Sequence, residues 1–160
     1  YTLGKDNDYI IFDTAAGISN NVIKFVLAAD EIIVVTTQVP TAITDAYALM
    51  KVLSSYRSDL KLNVIINMAK SVIEAKRTFE KLQSVVTRFL NVPIHSLGHV
   101  AYDANVPDSI MKRKPFFMQY PFTAATKSIK DIRTALLEKE SKSNQAPESF
   151  LQRFAQVFSA

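Results

Sequence analysis

The sequence predicts an α/β fold in which parallel strands form a middle layer and helices cover it on both sides. Four short runs rich in Ile and Val are continuously apolar rather than alternating, as in strands buried on both faces. Segments with helical apolar spacing lie between them, and strand, helix, strand in succession implies right-handed crossovers into an open parallel sheet. With 160 residues, 48% of them apolar, the chain can bury the core that such a sheet needs.

The first run, residues 9–12, is Tyr9-Ile10-Ile11-Phe12; it ends in Asp13 and Thr14, then a small-residue turn closing on Gly17. A helix is expected over residues 20–29, a second strand over 31–36, and a helix over 41–56, where Ala42, Ala46, Leu49, Met50 and Leu53 share one face. A third strand over 62–67 precedes a helix over 72–90, whose Phe79, Leu82, Val86 and Phe89 repeat at helical spacing. A fourth strand over 94–97 is followed by helices over 105–114 and 123–139. The polar stretch 141–148 breaks the pattern, and residues 149–158 read as an appended amphipathic helix. The chain therefore divides into a body, 1–140, and a linker with tail helix, 141–160. There is no internal repeat and no low-complexity tract.

Composition removes several function classes. The absence of cysteine excludes disulfides and thiolate metal sites, and with no apolar leading segment it agrees with a cytosolic setting. The net charge of +4 reads as spread along the chain rather than gathered into an arm, so nucleic acid is not expected as a partner. No run reaches the roughly 20 apolar residues of a membrane span. His95 and His99 straddle a strand end and Gly98 instead of sharing a helix face, which argues against zinc. No Ser, His and Asp set has the context of nucleophilic catalysis. Lys112, Arg113 and Lys114, followed by Pro115, Phe116 and Phe117, suit an acidic surface or lipid headgroups, or simply a solvated helix end whose cations complement the dipole. Glu74, Lys76, Arg77, Glu80 and Lys81 read as a wet helix face.

In open parallel sheets ligands bind beyond the carboxyl ends of the strands, which places Asp13, Thr36, Asn67 and Gly98 at the edge to examine. A carboxylate ending a buried strand, before a small-residue turn, is the arrangement that holds a Mg²⁺ shell while turn amides face a phosphate. The same Asp13 also suits capping of the helix that starts near Ser19, or satisfying the turn amides. Asn67 and Asp103 suit ordinary turns as well.

Taken together, DYIIFDTAAGIS, DEIIVVTTQVPTAITDAYALMK, NVIINMAKS and LGHVAYDANVPDSIMKRKPF resemble the MinD/ParA family of deviant P-loop ATPases, and within it the flagellar site-determining, MinD-like members. The resemblance covers about residues 8–139. It implies a partial P-loop NTPase fold, ATP or ADP with Mg²⁺ as cofactors of the complete protein, and a nucleotide switch controlling flagellar number or placement. By resemblance, Asp13 matches the Walker B aspartate that orients Mg²⁺-bound water, and the turn from Thr14 to Gly17 matches the switch beside the γ-phosphate. Asn67 matches the asparagine that reads the adenine edge, while Val100, Tyr102 and Asp103 match the loop on the other side of the base. The family's TTPEP segment reads TTQVP here, with Thr36, Thr37 and Pro40 retained.

Two family elements are missing. No G-x-x-x-x-G-K-[ST] loop occurs in these 160 residues, which contain only three glycines, and the family's first switch segment is also absent. The chain thus resembles the C-terminal part of such an ATPase, and by itself is not expected to hydrolyse ATP. Open sheet edges would favour a homodimer or assembly with the missing N-terminal half. In the tail, Phe150, Leu151, Phe154, Val157 and Phe158 form one apolar stripe, suited to a membrane surface or to a groove on the body. The family resemblance adds flagellar assembly proteins as partners and a peripheral location at the inner face of the cell membrane. The readings left open are a non-catalytic partner- or membrane-binding module, and a chromosome-partitioning or septum-site ATPase.

Overall fold

A computed structural model describes residues 7–57 and 59–140. The tail stripe at 150–158, and with it the expected membrane segment, lies outside the described residues.

Three strands form one parallel sheet in the order β1-β2-β3: β1 Ile32–Thr36, β2 Leu62–Ala69 and β3 Ile94–Ala101. Helix α1, Asn20–Ala28, precedes the sheet; α2, Pro40–Tyr56, and α3, Val72–Leu90, are the crossovers; α4, Asn105–Met111, α5, Phe116–Gln119, and α6, Ala124–Glu140, follow it. The helix ends carry the expected signals. Ser19 accepts the amide of Val22 at the start of α1, and Pro40 opens α2, where a missing N–H costs nothing. Ser71 accepts the Glu74 amide while Glu74 reaches back to the Lys70 amide, a reciprocal cap for α3. Asn91, at φ 54°, ends α3 in the left-handed conformation that asparagine tolerates.

Both crossover helices pack on one face of the sheet. Ile32, Val34, Leu62, Val64, Ile66 and Ile94 point to that face and meet Met50, Leu53, Leu82 and Val86 in the main core. Helix α6 covers the other face, where Ile65, Leu97 and Ile132 form a smaller cluster. Gly98, at φ 117°, accommodates the register irregularity between Val64 and Ile65 of β2 and the facing residues of β3.

Three expectations need correction. Residues 9–12 form no strand: the segment before α1 has no regular structure, and Ile11 is 90% exposed. A strand exists only where a neighbour completes its hydrogen-bond ladder, and the described sheet supplies none to this segment. Secondly, β1 is not buried on both faces, because Ile33 and Val35 lie beyond the reach of α6 and stay exposed. Thirdly, β3 runs on to Ala101, so Gly98 is a mid-strand bulge rather than a strand end.

Candidate functional site

The carboxyl ends of β1 and β2 and the segment after β3 meet at one edge of the sheet. Thr36 is buried there, but its hydroxyl donates to the Ala42 carbonyl (2.9 Å) and so seats α2. Thr37 in turn accepts the Val39 amide with its hydroxyl oxygen (3.2 Å). Both threonines serve the turn into α2.

Asn67 stands where β2 leaves the core. Its side-chain oxygen accepts the amide of Met68 (2.9 Å), which leaves the NH₂ group and the second lone pair of that oxygen available. Met68 has φ 56°, an uncommon value for a residue with a side chain, and coincides with the second register shift between β2 and β3. The strain is held from two sides: Gln38 donates its amide N–H to the Met68 carbonyl (3.2 Å), and the Ala69 carbonyl accepts the Tyr102 amide (2.8 Å). Sequence reasoning missed Gln38, whose only signal was its place within TTQVP, where it replaces part of the family's TTPEP.

Val100 is half-buried against the α6 cluster, whereas the Tyr102 side chain is 57% exposed. Asp103 ties the loop down: one carboxylate oxygen accepts the backbone and side-chain N–H groups of Asn105 (both 2.9 Å), and the other accepts the Ala125 amide at the start of α6 (3.4 Å). The Asn105 amide, helped by Thr123, holds the Asp103 carboxyl below the ordinary carboxylate range. Asn67, Val100, Tyr102 and Asp103 are thus brought to one edge: a half-buried amide, an exposed ring and a carboxylate engaged with backbone.

Asp13, Thr14 and Gly17 lie in the exposed segment ahead of α1, and Ser19 rather than Asp13 caps that helix. The described residues assemble no metal shell around Asp13, and no three His, Asp, Glu or Cys among them form a metal-holding group. The edge thus gathers a hydrogen-bonding amide, a ring and a carboxylate, while Asp13 and the turn to Gly17 stay in the segment before α1. No helix in the described part is long and apolar enough to cross a membrane.

Comparison with known proteins gives three relatives. The chain is 38% identical over 129 residues to the antiactivator FleN of Pseudomonas aeruginosa, covering 80% of this chain and 46% of that protein. It is 33% identical over 149 residues to the flagellum site-determining protein YlxH of Helicobacter pylori, covering 92% of this chain and 50% of the relative. A shorter stretch of 64 residues is 44% identical to the septum site-determining protein MinD of Thermotoga maritima, covering 39% and 24%. The chain spans about half the length of the first two relatives. No family model matches it.

Proposed function

From its relationship to the MinD/ParA-type flagellar site-determining proteins, we propose that this chain is the adenine-binding and Walker B portion of an ATP-dependent switch controlling flagellar number or placement. The observation that carries the reading is the convergence of Asn67, Tyr102 and Asp103 at the carboxyl edge of β2 and β3. An asparagine amide matches the N6 donor and N7 acceptor of adenine in a bidentate pair, and Asn67 keeps a donor and an acceptor lone pair for this purpose. Just after the neighbouring strand, the exposed Tyr102 ring offers a face for stacking. The strained Met68 and its two restraints hold Asn67 in place before a ligand arrives.

When bound, Mg²⁺ would neutralise developing phosphate charge, and Asp13 would accept hydrogen bonds from the metal's water shell. The turn from Thr14 to Gly17 would lie beside the terminal phosphate. ATP hydrolysis belongs to the complete protein, as do dimerisation, contact with flagellar assembly proteins and peripheral attachment at the inner face of the cell membrane through Phe150, Leu151, Phe154, Val157 and Phe158. Since these 160 residues contain no glycine-rich lysine loop, the chain alone should hold ATP only weakly.

The test is nucleotide affinity and turnover in a complete protein carrying this segment. Asn67→Ala should weaken ATP binding by about ten-fold or more, in line with the worth of a bidentate base contact. Asp13→Asn should leave folding intact and reduce turnover by orders of magnitude. Unchanged affinity in the first variant would remove Asn67 from the base site. Unchanged turnover in the second would remove Asp13 from the metal.

A further inference from the structure

Two stretches, residues 61–102 and 105–130, each carry an excess of four positive charges, and acidic residues elsewhere offset one of them. Residues 105–130 hold five Lys or Arg against Asp108 alone, while the rest of the chain carries fourteen basic and fourteen acidic residues. The excess in residues 105–130 lies on α4, α5, the turns between them and the first two turns of α6.

The same region displays large apolar side chains. Met111 is 83% exposed, Met118 75% and Phe122 96%, with Phe117 half-exposed beside them in sequence. Helix α4 packs on α5 and α5 on α6, and Tyr120 fastens the unit: its hydroxyl donates to Asp108, and its carbonyl accepts the Thr126 hydroxyl (2.7 Å). Lys112 closes on Asp108 at 2.8 Å, so the single carboxylate is neutralised locally and its carboxyl is held below the ordinary range by that ammonium. Lys130 stands over the Phe117 ring at 5.8 Å and donates to the Pro121 carbonyl (3.4 Å). Arg113 and Lys114 make no ion pair among the described residues. Arg113 is held at φ 52° in the turn that ends α4, closed by a bond from the Lys114 amide to the Ser109 carbonyl (3.1 Å).

Exposed methionine and phenylalanine side chains, with unpaired cations close by in the sequence, match a surface that is anionic at its face and apolar beneath. Side chains this exposed protrude into solvent, so they fit a fluid surface better than a rigid groove. We propose that the α4–α5 region is a membrane-contact surface that inserts Met111, Met118 and Phe122 among acyl chains while Arg113, Lys114 and Lys127 meet anionic headgroups. This goes beyond the tail helix and stands without the nucleotide-site reading.

The experiment is co-flotation of the full 160-residue chain with phosphatidylglycerol-rich vesicles and with pure phosphatidylcholine vesicles. It is done in a Phe154→Glu background, which disables the tail stripe. Attachment to the anionic vesicles should persist in that background and fall with added salt. Each cation near an anionic surface is worth about five-fold, so Arg113→Gln with Lys114→Gln should weaken attachment about twenty-five-fold. Met111→Ser with Phe122→Ser should abolish it, with unchanged far-ultraviolet circular dichroism confirming the fold. Because the chain has no tryptophan, Phe122→Trp places a single indole at the exposed tip, and its emission should shift to the blue on the anionic vesicles. No attachment in the Phe154→Glu background would overturn the proposal, assigning the membrane to the tail and this surface to an acidic protein. So would equal attachment to neutral vesicles, or patch variants that bind as well as their parent.

Discussion

Asp103→Ala tests how the edge loop is held. Asp103 spans two helix starts: it forms an Asx turn at the beginning of α4 through Asn105 and accepts the Ala125 amide in the first turn of α6. Helix α6 covers the smaller apolar cluster with Ile132, so a loosened start weakens the layer over Ile65 and Leu97. Loss of a helix-capping acceptor costs about 1 kcal/mol, and the turn bonds to a charged acceptor add a similar amount, discounted because the side chain is partly exposed. A total of about 1 to 2 kcal/mol is expected. With a urea slope of about 2 kcal/mol/M, that moves the unfolding midpoint down by about 0.5 to 1 M at neutral pH. The pH dependence has a definite sign. The folded carboxyl is held below its unfolded value of about 3.9, so its stabilisation is complete above that pH and is lost as the pH falls through the depressed folded value. Wild type and Asp103→Ala should therefore converge as the pH drops below about 4, while Asp103→Asn, which keeps an acceptor but no charge, should fall between them at pH 7. Amide exchange at Asn105 and Ala125 should accelerate in the alanine variant. A midpoint unchanged at pH 7, or a gap that stays constant into acid, would refute this account of the loop.

Three further substitutions probe the frame. Met68→Gly should relieve about 1 kcal/mol of left-handed strain, partly offset by the flexibility of glycine; the side chain is 50% exposed, so little packing is lost, and urea unfolding should show equal or greater stability. Gly98→Ala should cost about 1 to 3 kcal/mol through the backbone, because φ is 117° while the nearest atom to an added methyl, the Ile132 Cγ1, lies at an ordinary 3.6 Å; a cost below about 0.5 kcal/mol by thermal unfolding would show that the bulge relaxes. Leu53→Ala, at a side chain fully buried between α2 and the sheet, should cost about 2 to 5 kcal/mol in chemical denaturation, and a cost under about 1 kcal/mol would place Leu53 outside the core.

The sequence by itself determined the longer helices and the inner strand, though not the short α5. Ser71 with Glu74, Pro40, and the spacing of Phe79, Leu82 and Val86 are local signals, and α3 spans Val72–Leu90 as its periodicity predicts. The run from Leu62 to Ile66 is buried on both faces because β2 has strands on both sides and helices above and below. What lies at long range was decided only in three dimensions. Tyr9-Ile10-Ile11-Phe12 reads as strand as strongly as β2 does, yet a strand is a relation between two segments, and its apolar composition cannot supply the neighbour. Asn67 and Asp103 were legible as residues, by resemblance, but their common edge depends on the register of β2 with β3 and on the bond from the Tyr102 amide to the Ala69 carbonyl. Gln38 gained its role only when the loop after β1 came within reach of Met68, a residue 30 positions away. The cations and exposed apolar side chains of residues 105–130 follow the same rule. Its charges can be counted in the chain, but whether Met111, Met118 and Phe122 face the core or the solvent is set by how Tyr120 and Asp108 close the turn beneath them.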